Sequence, residues 1–169
     1  MNVIIYMGEL DALNEAQKNE VNDSFISRLE GVYTKALQNE NSIPPVVADI
    51  EVSLTFLNPQ KMAEINGEYR DIAEPTDVLS FPMWESESGD FIPPDDWEVL
   101  TLGDIMVCPD VVLKNAAENN RTFLEETVLV ISHGLLHLIG RDHDSEERKN
   151  RMWEEQDLLV KMFFDSIEQ

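Results

Sequence analysis

Residues 122–144 read TFLEETVLVISHGLLHLIGRDHD, and this stretch decides how the rest of the chain is read. Thr122 followed three residues later by Glu125 is a capping box, which marks the start of a helix. From there Val128, Leu129, Val130, Ile131, Leu135, Leu136, Leu138 and Ile139 put apolar side chains on almost every side. A helix that is apolar all round is a buried one. Gly140 stands where a residue in the left-handed conformation would close it. All 3 histidines of the 169-residue chain fall in this stretch, His133 and His137 on the helix and His143 just past Gly140.

Residues four apart share one face of a helix. His133 and His137 therefore aim at one spot, and the turn at Gly140 can bring His143 back to it. An imidazole buried without a partner is costly, so an otherwise apolar helix has to satisfy these rings. Three neutral imidazoles suit zinc and leave a fourth position for water or substrate, which is the catalytic arrangement. A structural zinc site is closed, usually by cysteines, and the chain has one cysteine, Cys108. Three-histidine sites also accept nickel and other ions.

The spacing H-x-x-x-H-x-x-G-x-x-H is that of metzincin proteases, which carry Glu directly after the first His as general base. Here that position is Gly134. A glycine inside a helix costs about 1 kcal/mol against alanine. It is accounted for either by close packing on a neighbouring element or by room for a bulky substrate. On both accounts the usual protease base is missing.

Working outward, the pattern predicts a strand at Val3–Met7 and one helix from Asn14 to about Gln38. In that helix Val21, Phe25, Leu29, Val32 and Leu37 recur near a 3.6-residue period. Val47–Leu57 alternates Ile50, Val52, Leu54 and Phe56 on one face, a half-buried strand. Asn58 caps a short helix with Pro59 at its first position. Thr76–Met83 and Val99–Pro109 read as strands, Asp110 to Glu118 as a helix, and Ser145 to about Phe164 as the last helix. Between them lie loops at Asn39–Pro45 and, acidic and exposed, at Glu85–Trp97. This order predicts one α+β domain over residues 1–169, with a small sheet packed by helices.

Composition narrows the function. Twelve Lys and Arg against 34 Asp and Glu give −22, which argues against loose binding to nucleic acid but leaves a locally positive cleft open. No apolar run reaches the roughly 18–20 residues of a membrane span. The start, MNVIIYMGELDALNE, lacks a basic n-region, so no signal peptide is expected. A lone cysteine can have no disulfide partner within the chain, which fits a cytoplasmic location. Arg141, Arg148, Lys149 and Arg151 cluster behind the histidines, and ion pairing with Glu146, Glu147, Glu154 and Glu155 is their expected role.

The run HGLLHLIGRDH, residues 133–143, closely resembles the H-G-x-L-H-L-x-G-Y-D-H signature of the YbeY family, bacterial endoribonucleases of rRNA maturation. NGEYRDIAEPTDVLSFP (Asn66–Pro82) and LGDIMVCPDVV (Leu102–Val112) agree with the same family, in its order. The resemblance implies a zincin-like metal-binding helix packed on a small mixed sheet. It implies His133, His137 and His143 as Zn2+ ligands, with His133 and His137 in the catalytic set. It implies that Arg70, the arginine of the Y-R segment, acts on the RNA. The implied function is a zinc-dependent endoribonuclease for single-stranded RNA. It would act in small-subunit rRNA 3′-end maturation and ribosome quality control, beside the small ribosomal subunit and its assembly proteins.

The chain departs from the family pattern at Arg141, which replaces the tyrosine and would add a phosphate contact or form a salt bridge. Arg70 on its own, without the resemblance, reads first as an ion-pair partner of Asp71 or Glu74. Asp142 and Asp144 either orient a histidine or serve the start of the last helix, where Ser145 also fits. Asp104 is a structural strand residue or part of a cleft floor. Met152 is expected to be core filler rather than a residue beneath the metal. No general base stands out, and an RNA 2′-hydroxyl can supply the nucleophile itself. The competing functions are a zinc metalloprotease-like hydrolase and a non-catalytic ribosome assembly factor with a structural metal.

Overall fold

Alternation along residues 49–56 builds the centre of the molecule. In the computed structural model, which describes residues 1–168, Ile50, Val52, Leu54 and Phe56 are all buried while Glu51, Ser53 and Thr55 are half-buried. This is strand β2 (Asp49–Phe56) of a four-stranded sheet. The others are β1 (Asn2–Met7), β3 (Val78–Pro82) and β4 (Val99–Val107), in the order β1-β2-β4-β3. β1, β2 and β4 run parallel, and β3 is antiparallel to β4. With six helices this makes a small mixed-sheet domain, as the pattern and the resemblance predict.

The helices are α1 (Glu15–Glu20), α2 (Asp23–Leu37), α3 (Pro59–Arg70), α4 (Pro109–Glu118), α5 (Phe123–Leu138) and α6 (Glu146–Asp165). The single helix expected over 14–38 is two. Asn22 leaves the helix with φ −116° and accepts a hydrogen bond from the Phe25 amide at 3.0 Å, so its side chain starts a second helix. Such a side chain competes with the helix's own backbone bonds. The apolar spacing runs through the break because Val21, which ends α1, is fully buried.

α2 packs on β1 and α6, and α5 packs on β3, β4 and α6. The two helices are tied by a buried hydrogen bond of 3.0 Å between Tyr33 Oη and Ser132 Oγ. α2 also covers the outer edge of β1, where Thr34 Oγ1 and Glu30 Oε1 accept from the Val3 and Ile5 amides at 2.8 Å each. That blunts one sheet edge against pairing with other chains. The opposite edge, β3, forms a wall of the cleft described below. Among the described residues no helix is long and apolar enough to cross a membrane.

β3 can lie against β4 only because residue 103 is glycine. The β2–β4 register shifts between Glu51 and Val52, so β4 carries one extra residue there. Gly103 takes φ 139°, and a Cβ on it would sit 2.0 Å from the Phe81 carbonyl oxygen. Gly103→Ala should therefore cost more than about 3 kcal/mol of stability in a urea unfolding experiment, since both strain and a backbone clash oppose it.

Candidate metal centre

α5 is buried on every side but one. Leu129, His133, His137 and Gly140 form its only half-buried stripe beyond the first turn, and all four line a cleft of about 830 Å3. The helix ends as its sequence predicts. Gly140 takes φ 85° and donates to the His137 carbonyl at 3.1 Å, while the Arg141 amide donates to the Leu136 carbonyl at 2.9 Å. This pair of bonds is a Schellman motif, which reverses the chain direction. The reversal carries His143 back to the helix.

One ring nitrogen from each of His133, His137 and His143 lies within 4.8 Å of the others. The Nε2 atoms of His133 and His137 are 3.0 Å apart. Zinc–imidazole bonds are about 2.0–2.1 Å, so these nitrogens fit around one ion with little movement. His133 and His137 are half-buried and His143 is exposed, so the cluster has a closed side and an open one.

His133 is held from behind. Its Nδ1–H donates to Gln156 Oε1 at 2.8 Å, and Gln156 on α6 is only 6% exposed. An amide oxygen only accepts, so Nδ1 carries the proton and Nε2 keeps its lone pair for an ion. Trp153, one turn earlier, meets the rings of His133 and His143 edge to face at 5.7 and 5.9 Å. Burial holds His133 below the ordinary imidazole range, opposed by its bond to Gln156. Burial, followed by the neighbouring His133, pulls His137 down to about 4. Rings already neutral at pH 7 have no proton to give up when an ion binds.

Gly134 does not open the cleft. A Cβ there would sit 3.0 Å from Ile105 Cγ2 on β4, so close packing of helix on sheet accounts for the glycine. A glutamate at this position would be driven into the sheet, not toward the histidines. Arg141 is a salt bridge: Nη2 is 2.6 Å from Glu40 and Nε 2.9 Å from Glu155. Arg148 pairs with Asp144 and Arg151 with Glu155, so the arginines of the cluster are ion-paired, Glu155 being an expected partner and Glu40 and Asp144 unexpected ones. Lys149 instead lies over the Trp153 ring.

Neither flanking aspartate reaches a histidine ring in these hydrogen bonds. Asp142 accepts from the His143 amide, Asp144 holds Arg148, and Ser145 caps α6. Asp104 is exposed in the middle of β4, paired with Phe81 of the cleft wall but not itself lining the cleft. Met152 is fully buried in the main core. Arg70, the last residue of α3, is exposed and lines the same cleft as the histidines. It has no ion pair within 4 Å to Asp71 or Glu74. Gln156 and Trp153 were not singled out from sequence. Gln156 had a signal, as the one polar member of the buried stripe Met152, Gln156, Leu159, Phe163.

The family model for "Endoribonuclease YbeY" matches residues 12–163. A protein of that name from Acetivibrio thermocellus is 34% identical over 155 residues, covering 88% of this chain and 92% of its own length. Another from Bacillus mycoides is 34% identical over 154 residues, covering 91% and 95%. The solution structure of TM1509 from Thermotoga maritima superposes with a TM-score of 0.60 at 28% identity, over 98% of this chain and 91% of that one.

Gln156→Leu removes the acceptor behind His133 and should weaken zinc binding about 10- to 100-fold in a chelator-competition titration, while Gln156→Glu, which keeps an acceptor, should recover most of the loss.

Proposed function

The chain belongs to the YbeY family of endoribonucleases, and from that premise we propose that it is a zinc-dependent endoribonuclease acting in small-subunit rRNA 3′-end maturation and ribosome quality control. The observation that carries the zinc assignment is the three-histidine cluster, backed by Gln156 and open to a cleft. His133, His137 and His143 would hold the ion. When bound, zinc supplies a Lewis acid toward a phosphodiester and acidifies water near neutral pH.

The chain's own residues do the rest. Gln156 fixes the tautomer of His133, and Trp153 packs against the rings of His133 and His143. Arg70 lines the cleft with no carboxylate within 4 Å among the described residues, and a guanidinium meets two phosphate oxygens at once. In this role it binds and orients the phosphodiester, which is most of what phosphoryl transfer asks of a protein. His133 and His137 belong to the catalytic set through the ion they hold. The net charge of −22 fits a protein brought to RNA by docking at the small ribosomal subunit, in the cytoplasm, rather than by general RNA affinity.

The metalloprotease reading loses ground at Gly134, whose place against Ile105 leaves no room for a base. The assembly-factor reading predicts that removing a ligand unfolds the protein. Incubation of zinc-loaded protein with labelled precursor small-subunit rRNA separates these readings. Wild type should cleave, and a folded His137→Ala variant should be slower by at least about 100-fold, as expected when a bound metal is lost. Equal cleavage by both would contradict the assignment.

A further inference from the structure

Any RNA in this cleft is held against the charge of the whole chain. Twelve Lys and Arg face 34 Asp and Glu, so long-range attraction to phosphates is lacking. The cations lining the cleft are Arg70, Arg121 and Arg141. Arg121 is paired with Glu126 at 3.0 Å, and Arg141 is held between Glu40 and Glu155. Among the described residues of the cleft, Arg70 is the one cation without a carboxylate within 4 Å. One free arginine is a weak hold on a flexible polyanion. Contacts that do not depend on charge have to supply the remainder.

Nucleobases offer such a contact, because every base has an apolar face that stacks on an aromatic ring. Two well-exposed aromatic residues line the cleft, Tyr69 and Trp153. Trp153 is already engaged by the rings of His133 and His143, with the Lys149 ammonium 5.7 Å from its ring centre. Tyr69 is 68% exposed and directly precedes Arg70 in the last turn of α3. Phe81 of β3 braces its ring edge to face, with centroids 4.9 Å apart and planes at 64°. A large aromatic side chain left this open but held in place is what a stacking surface needs, since little side-chain freedom is lost on binding.

We propose that Tyr69 is a stacking platform for an unpaired nucleobase of the substrate. Set beside Arg70, it holds a nucleotide by its base while the guanidinium takes a neighbouring phosphate. The proposal rests on the endoribonuclease reading above. A base inside a duplex has both faces covered, so this platform takes unpaired residues. Tyr69 is a positioning residue: it fixes which nucleotide lies at the cleft and takes no part in bond breaking.

The test is steady-state cleavage of a short single-stranded RNA by zinc-loaded wild type, Tyr69→Ala and Tyr69→Phe, each with its thermal unfolding measured. Stacking of the usual strength makes Tyr69→Ala raise KM about 5- to 150-fold with a smaller change in kcat, while Tyr69→Phe stays within about 2-fold of wild type. In the same RNA, an abasic nucleotide at one position raises the wild-type KM by a similar factor and adds nothing in Tyr69→Ala. An unchanged KM in a folded Tyr69→Ala overturns the proposal and leaves the nuclease standing. So does an equal loss in Tyr69→Phe, which would assign the effect to the hydroxyl. A wild type that cleaves no RNA, single-stranded or ribosomal, overturns the endoribonuclease reading and this proposal with it.

Discussion

The contact between α5 and β4 at Gly134 is the constraint on which the rest depends. With no side chain at 134, the helix settles onto Ile105 and is buried on nearly every side. A polar ring on such a helix has only one place to go, the stripe Leu129, His133, His137, Gly140 that faces the cleft. The same close packing fixes the two imidazoles to each other, with Nε2 atoms 3.0 Å apart. The Schellman motif at Gly140 then decides where His143 falls, because it sets the direction in which the chain leaves the helix. Site geometry is thus a consequence of packing. A protease-type base at 134 is incompatible with it, since the volume that glutamate would need is the volume Ile105 occupies.

Electrostatics divides the molecule into two regimes. Over most of the surface the acidic excess is unopposed, and the arginines after the histidines are paired with Glu40, Asp144 and Glu155. At the cleft, burial favours neutral His133 and His137, so these two rings can take a cation at neutral pH without giving up protons. A cation there would be the strongest positive charge facing the cleft, with Arg70 lining the same cleft. Close to the centre this local field opposes the net charge, which still governs the approach of an anionic substrate from a distance.

Much of this was legible in the sequence. The half-buried alternation of β2, the capped and buried α5, the turn at Gly140 and the meeting of three histidines all follow from periodicities of 2 and 3.6 and from one glycine. What was not legible depends on tertiary contacts. The break at Asn22 is hidden because Val21 keeps the apolar rhythm across it. The partner of Arg141 includes Glu40, 101 residues away, which no local pattern can give. Gly134 left two accounts open because its neighbour, Ile105, belongs to a strand whose placement spacing alone cannot fix. The parallel pairing of β1, β2 and β4 was likewise silent, since alternation marks a strand but not its partner.

X-ray absorption at the zinc edge of the loaded protein reads out the ligands of the ion itself. One ion per chain is expected, with three imidazole nitrogens at about 2.0–2.1 Å and the remaining coordination from exchangeable solvent oxygen. Fewer than three imidazoles, or a shell closed by a protein sulfur or carboxylate, would contradict the three-histidine centre.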